Sequence, residues 1–233
     1  MKLKTSQIER LWLWFFPRRC VWCMGVTEPE HMLCADCQTM QAQRFAPELM
    51  QCSQIPLVCV FTYHSRARRI LLNVKFHGGR KNIHSIGFAM ADALREAALA
   101  DETWLFCAVP MTQRQLKIRA FNQSELLAKT AARWFDAPYA QLLRKTRETQ
   151  TQHDLPAPER AGNVANAYAV AQPGLVKNKK IVLCDDICTT GATMQECARA
   201  LQDAGAQQVI CLCYLRTELM EGRDAHTGPS NRD

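Results

Sequence analysis

Long apolar runs are missing from this sequence. The longest, 209–215, has seven residues and the first, 11–16, has six, against the roughly 20 needed to cross a bilayer, so no membrane span is expected. A secretory signal is not expected either: Glu9 and Arg10 sit just before 11–16 and no small-residue cleavage site follows it. A cytoplasmic location follows as an expectation. Glycine and proline are sparse, ten of each in 233 residues, which excludes collagen-like and low-complexity chains. Twelve cysteines fall short of the ~8–10% that marks a disulfide scaffold. Acid is in deficit, 22 Asp and Glu against 29 Lys and Arg, for a net charge of +7. Residues 64–81 have no acid at all but hold Arg66, Arg68, Arg69, Lys75, Arg80 and Lys81. Such a stretch favours phosphate-bearing partners, although a solvated basic face with no partner accounts for the charge equally well.

What is present is ordinary globular composition, 48% hydrophobic and 22% charged, long enough for one large domain or a main domain with a small appendage. Residues 1–54 contain two Cys-x-x-Cys pairs, Cys20 with Cys23 and Cys34 with Cys37. After Pro56 the texture changes, and residues 55–218 read as the main domain. Residues 219–233 have almost nothing to bury and read as a frayed tail. Cys107, Cys184, Cys197, Cys211 and Cys213 lie inside apolar runs and read as small buried hydrophobes.

Four apolar runs in the main domain predict strands: 57–63, 104–109, 181–184 and 209–215. Most lack alternation, as expected of strands covered on both faces, which points to a largely parallel sheet. Helices are predicted over 85–100, 122–135 and 193–204, the second opened by Asn122 and Glu125 at capping-box spacing and the third ended by Gly205. Strands alternating with helices imply a doubly wound α/β domain. The stretch 143–166, with Arg144, Lys145, Arg147, Arg160, Pro156 and Pro158, breaks this rhythm and reads as a long excursion over the sheet, a candidate lid or binding loop.

The most informative residues are 181–193: an apolar strand, Asp185-Asp186, Ile187-Cys188, Thr189-Thr190-Gly191-Ala192-Thr193, then an amphipathic helix. Acids at the carboxyl end of a parallel strand point toward the crevice where such sheets bind ligands. The turn after them supplies hydroxyls and backbone N–H groups without bulk, at a helix N-terminus that favours negative charge. A phosphate is expected there, with the acids holding ribose hydroxyls directly or through magnesium. The Walker lysine is absent, and one glycine stands where a dinucleotide fingerprint has three, so neither of those readings applies. A plainer alternative has the acids capping a turn, and Thr193 with Glu196 capping the helix.

This motif resembles the phosphoribosyl-diphosphate (PRPP) loop of type I phosphoribosyltransferases. The resemblance implies that Asp185 and Asp186, the catalytic candidates, bracket the ribose hydroxyls. Thr189, Thr190, Gly191, Ala192 and Thr193 would hold the 5′-phosphate, and pyrophosphate would lie near Pro110, Met111 and Thr112, with Lys75, Arg114 or Arg119 as counter-charges. A Mg²⁺ clamp on the leaving group and negative charge near an oxocarbenium-like state are the expected catalytic contributions.

Further runs extend the match: Lys75-Phe76-His77-Gly78, Val109-Pro110, Arg119-Ala120-Phe121-Asn122-Gln123-Ser124, and Gln150-Thr151-Gln152 leading to Leu155, Arg160, Asn163 and Asn166. With the cysteine pairs upstream, the sequence resembles the ComF/GntX family of competence and DNA-utilisation proteins. The resemblance implies an α/β type I phosphoribosyltransferase-like fold, a mostly parallel sheet flanked by helices, carrying a small N-terminal zinc finger. Cys20, Cys23, Cys34 and Cys37 would then ligate structural zinc, redox-active thiols and a degenerate site being the rivals. Expected partners are single-stranded DNA, Mg-PRPP and a helicase or DNA-transport machinery. An active phosphoribosyltransferase with an unidentified acceptor is the alternative. The aromatic run 11–16 is expected to pack as core, or else to stack bases.

Overall fold

A computed structural model of the chain describes residues 49–52, 55–62, 81–99, 103–148 and 164–217, with scattered positions from 17 to 36 and at 68, 71, 72 and 162. Of the basic stretch 64–81, Arg68, Leu71, Leu72 and Lys81 are described and the rest lies outside the described residues. So do the aromatic run 11–16, Cys37 and most of the excursion.

The main sheet has five strands in the order β1-β2-β7-β6-β3. Strand β1 (Leu49–Cys52) pairs antiparallel with β2 (Ile55–Thr62), whereas β7 (Gln208–Arg216), β6 (Lys180–Cys188) and β3 (Trp104–Ala108) run parallel to β2. The interior strands are apolar on both faces, and Val58, Val182, Leu183, Leu212 and Cys213 are wholly buried. That is the burial that continuous hydrophobic runs anticipate.

Helix α1 (Lys81–Leu94), continued by a π-turn over Arg95–Leu99, and α3 (Gln123–Phe135) cover one face of the sheet. Helix α5 (Ala192–Asp203) covers the other. Two short helices, α2 (Gln113–Arg119) and α4 (Pro173–Val176), complete the described elements. The predicted helical faces are the buried ones: Ile86, Met90, Ala93 and Leu94 in α1, Leu127 and Ala131 in α3, and Met194, Cys197, Ala198 and Leu201 in α5. Gly205 follows α5 at φ 89°, the left-handed conformation that suits glycine after a helix end.

Two expectations change. The stretch from 143 is not wholly irregular: β4 (Leu143–Lys145) pairs antiparallel with β5 (Tyr168–Val170) in a separate two-stranded sheet, so the ends of the excursion are clamped into an arm. Thr146 and Arg147 extend the clamp, their side chains donating to the carbonyls of Asn166 and Ala165. The helix at 122–135 begins with Asn122, but no capping box forms, because the Glu125 carboxylate accepts from Lys129 Nζ at 2.6 Å one turn on. A surface i,i+4 ion pair wins over a reach back to the backbone.

Helices α1 and α3 approach closely at Gly87, where an added Cβ would sit 2.6 Å from both Cβ and Cγ2 of Thr130. Branched atoms next to a helix backbone cannot swing aside. Gly87→Ala should therefore lower the thermal unfolding midpoint, overpacking of about 1–3 kcal/mol outweighing the ~1 kcal/mol gain in helix propensity. A raised midpoint would mean that the two helices part without cost.

Candidate functional site

The winding of the sheet locates the crevice. From β3 the chain leaves toward α3 on one face, and from the adjacent β6 it leaves toward α5 on the other. A doubly wound sheet binds its ligand where neighbouring connections diverge in this way. Strand lengths open the crevice further. The last β3–β6 pair is Ala108 with Cys184, closed by a 3.0 Å bond from Val109 N–H to the Cys184 carbonyl, whereas β6 continues beside β7 to Cys188. The β3 side of residues 185–188 is thus left to the crevice.

Asp185 and Asp186 therefore stand inside a strand that runs past Cys184, not on a turn. Two-residue alternation is not kept across this stretch: Val182, Cys184 and, three residues on, Ile187 pack with the cluster of the α1–α3 face. Asp185 Oδ1 accepts from Ser124 Oγ at 2.6 Å and from the Asp186 backbone N–H at 2.8 Å. Asp186 is 8% exposed.

The turn after β6 has Gly191 as the helix N-cap, at φ 79°, with no side-chain capping bond. That conformation calls for glycine, and a glycine N-cap puts no capping side chain of its own over a helix N-terminus suited to an anion. The capping alternative for Thr193 and Glu196 does not hold. Glu196 Oε1 instead accepts from the Asn166 backbone N–H and from Arg199, both at 2.7 Å, and the Arg199 guanidinium holds the carboxyl below its usual range. Thr190 Oγ1 accepts a 3.4 Å bond from Ala192 N–H. The Thr193 side chain is hydrogen-bonded to Tyr168 of β5, whose hydroxyl is pushed up chiefly by burial.

Pro110, Met111 and Thr112 lie just beyond β3, across the crevice from the acids. Pro110 has no N–H to offer. The Thr112 hydroxyl and amide are spent on a capping box with Gln115 that opens α2, so the Met111 amide is the backbone donor left among these three. Arg119 is exposed in the last turn of α2. Asn122 joins the two sides of the crevice: its Nδ2 donates to the Val109 carbonyl at 3.0 Å and its Oδ1 accepts from Ser124 N–H at 3.1 Å. Through Ser124 this chain of bonds ends on Asp185. The sequence marked Asn122 only as the start of a helix and assigned Ser124 no role. Their signal was an Asx N-cap with a serine two residues on, at the start of a helix lining a strand end.

At the N-terminus, the sulfurs of Cys20, Cys23 and Cys34 lie within 4.8 Å of one another. Cys23 and Cys34 are 3.6 Å apart, near the edge of a tetrahedron with ~2.3 Å Zn–S bonds. Backbone N–H groups of Cys23 and Gly25 point at the Cys20 and Cys23 sulfurs, as suits thiolates. These residues fit a metal ion. Cys20 is fully buried with the main core, and Arg19 N–H donates to Ser85 Oγ of α1 at 3.0 Å.

The chain is similar to several known proteins. Residues 122–227 match the phosphoribosyl transferase domain family. The chain is 30% identical to the DNA utilization protein YhgH of Escherichia coli K12 over 83% of its own length and 89% of the relative's. It is 25% identical to competence protein F of Haemophilus influenzae over 84% of its own length and 95% of the relative's. A solved structure described as the allosteric regulatory enzyme of purine biosynthesis aligns over 56% of this chain and 25% of its own, at 23% identity and a TM-score of 0.39.

Ser124→Ala removes an O–H donor to a carboxylate, a bond worth about 1.5–3 kcal/mol. Urea denaturation should show a loss of that order, with Ser124→Thr closer to the wild type. Equal stability of all three proteins would mean that Asp185 does not depend on the serine.

Proposed function

Because this chain belongs to the ComF family of competence and DNA-utilisation proteins, we propose that it binds Mg-PRPP in the β3–β6 crevice and single-stranded DNA on its basic surface, in support of the uptake or use of external DNA. The observation that carries the donor site is the run of β6 beyond β3. It sets two acids at the mouth of the crevice and, three residues beyond the strand, a helix whose N-cap is a glycine with no side chain to offer its amides.

In this reading Asp185 and Asp186 hold the ribose 2′ and 3′ hydroxyls as acceptors, and Ser124 keeps Asp185 in place. The hydroxyls of Thr189, Thr190 and Thr193, with the amides of Gly191 and Ala192, receive the 5′-phosphate. The Met111 amide and Arg119 face the pyrophosphate side. Magnesium, when bound, neutralises the pyrophosphate. Cys37 completes the set of Cys20, Cys23 and Cys34 around a structural zinc, and the protein works in the cytoplasm beside a helicase or DNA-transport machinery. A second reading, transfer of ribose 5-phosphate to an acceptor, is favoured by the same acids: two carboxylates beside the anomeric carbon would stabilise the positive charge that develops as pyrophosphate leaves.

Calorimetric titration with Mg-PRPP should show saturable binding to the wild type, weakened at least tenfold in the Asp185→Ala, Asp186→Ala double variant. No heat with the wild type defeats the donor site, and pyrophosphate release with a candidate acceptor would establish transfer. Fluorescence anisotropy with a single-stranded oligonucleotide should show affinity falling steeply with salt, with a log–log slope of about −0.7 per phosphate neutralised. Undetectable binding at low salt would remove DNA from the proposal.

A further inference from the structure

Helix α2 buries none of its seven residues. Gln115 and Leu116 are half-buried, whereas Gln113, Arg114, Lys117 and Ile118 are exposed. At about 3.6 residues per turn these four fall on one side of the axis, with Arg114, Lys117 and Ile118 at the i, i+3, i+4 spacing of neighbours on one face. Arg119, given above to the pyrophosphate side, is five residues from Arg114 and lies across the axis from it. Ile118 is 75% exposed, ahead of Val26 and Leu175 among the exposed large hydrophobic residues described.

No acid occurs between Trp104 and Ser124, and among the described residues neither Arg114 nor Lys117 has an ion-pair or hydrogen-bond partner. On α3 and α5, by contrast, the exposed cations Lys129 and Arg199 have acids one turn away. A helix this short would not persist alone. Two caps hold it instead: the box of Thr112 with Gln115 at one end and, at the other, Ala120, whose N–H donates to the Leu116 carbonyl. Because α2 follows directly on residues 110–112, its outer face displays two unpaired cations and one aliphatic side chain beside the mouth of the β3–β6 crevice.

At about 10 Å long, the helix falls far short of the roughly 800 Å² per partner that a stable protein interface buries. A nucleic-acid strand is held by smaller repeating contacts, arginine and lysine on phosphates and apolar side chains wedged between bases. The wedge requires unstacked bases, which a single strand supplies more readily than a duplex. We propose that the outer face of α2 docks single-stranded DNA, with Arg114 and Lys117 on neighbouring phosphates and Ile118 against a base. This rests on the reading above that the chain binds single-stranded DNA, and it gives that contact a place.

Fluorescence anisotropy of the full chain with a labelled oligothymidine and with a duplex, over a series of salt concentrations, tests the assignment. Arg114→Gln with Lys117→Gln should weaken the single strand about tenfold or more and make its log–log salt slope shallower by about 1.4, two phosphates at about 0.7 each. Arg114→Lys with Lys117→Arg, which keeps the charge, should recover most of the affinity. Ile118→Ser should weaken the single strand about fivefold with no change of slope, and should not weaken the duplex. Lys177→Gln with Lys179→Gln removes the same charge from exposed positions before the far end of β6 and should leave the slope unchanged. An equal loss in the two glutamine double variants would mean that net charge alone attracts the strand, and α2 loses its assignment. The same follows if the wild type binds and the α2 variants match it. It follows too if Ile118→Ser turns a wild-type dimer into a monomer in sedimentation, which would give the face to a second copy of the chain. If the wild type binds no oligonucleotide, the DNA reading itself is wrong and the docking face goes with it.

Discussion

Strand β6 is paired on both sides only as far as Cys184; beyond that point β7 accompanies it and β3 does not. This mismatch in length is the constraint on which the candidate site depends. A strand with one open side needs other partners for its polar groups, and here Asp185 supplies its own, taking the Asp186 amide on the oxygen that also receives Ser124. Equal strands would have closed the crevice with ladder bonds and left no place for acids beside a helix N-terminus. The connections from β3 and β6 to opposite faces then make that gap a cleft.

The elements around the cleft are tied to one another by a few polar bonds. Asn122 spans from the β3 end to α3, Ser124 from α3 to β6, Thr193 from α5 to β5, and Glu196 from α5 to the loop at Asn166. Each joins residues far apart in the chain, so the cleft is assembled only when both faces of the sheet are covered. The arm of β4 and β5 is part of this assembly: Thr146 and Arg147 clamp its two sides together, and Asn166 ties it to Glu196 and Arg199 of α5.

What the sequence made legible is what depends on local periodicity. The buried strands showed as continuous apolar runs because both of their faces are covered, and the helical faces showed as spaced apolar residues. The turn 189–193 showed because glycine and threonine there have a conformational reason, which the positive φ of Gly191 bears out. The length of β6 was not legible, since Asp-Asp-Ile-Cys reads as the end of a strand when the partner β7 is unseen. Strands β4 and β5 are three residues each and 22 residues apart between Lys145 and Tyr168, too short for a period to register. Glu125 was misread as a capping-box partner, and the plainer alternative that had Glu196 capping α5 fails, for one reason: a lysine or arginine one turn on is the better partner.

The cysteines divide by position in the fold. Cys184, Cys197 and Cys213 lie within the sheet and helix interior, where burial drives their thiols well above the ordinary range, while Cys23 is exposed and Cys34 partly so. Thiolate character and access govern oxidation. A peroxide or an alkylating reagent therefore meets the N-terminal sulfurs first, and the interior thiols survive it as long as the sheet stays folded. Among the described cysteines, oxidation and alkylation thus begin at the N-terminal cluster, which Cys20 and Arg19 fasten to the main core.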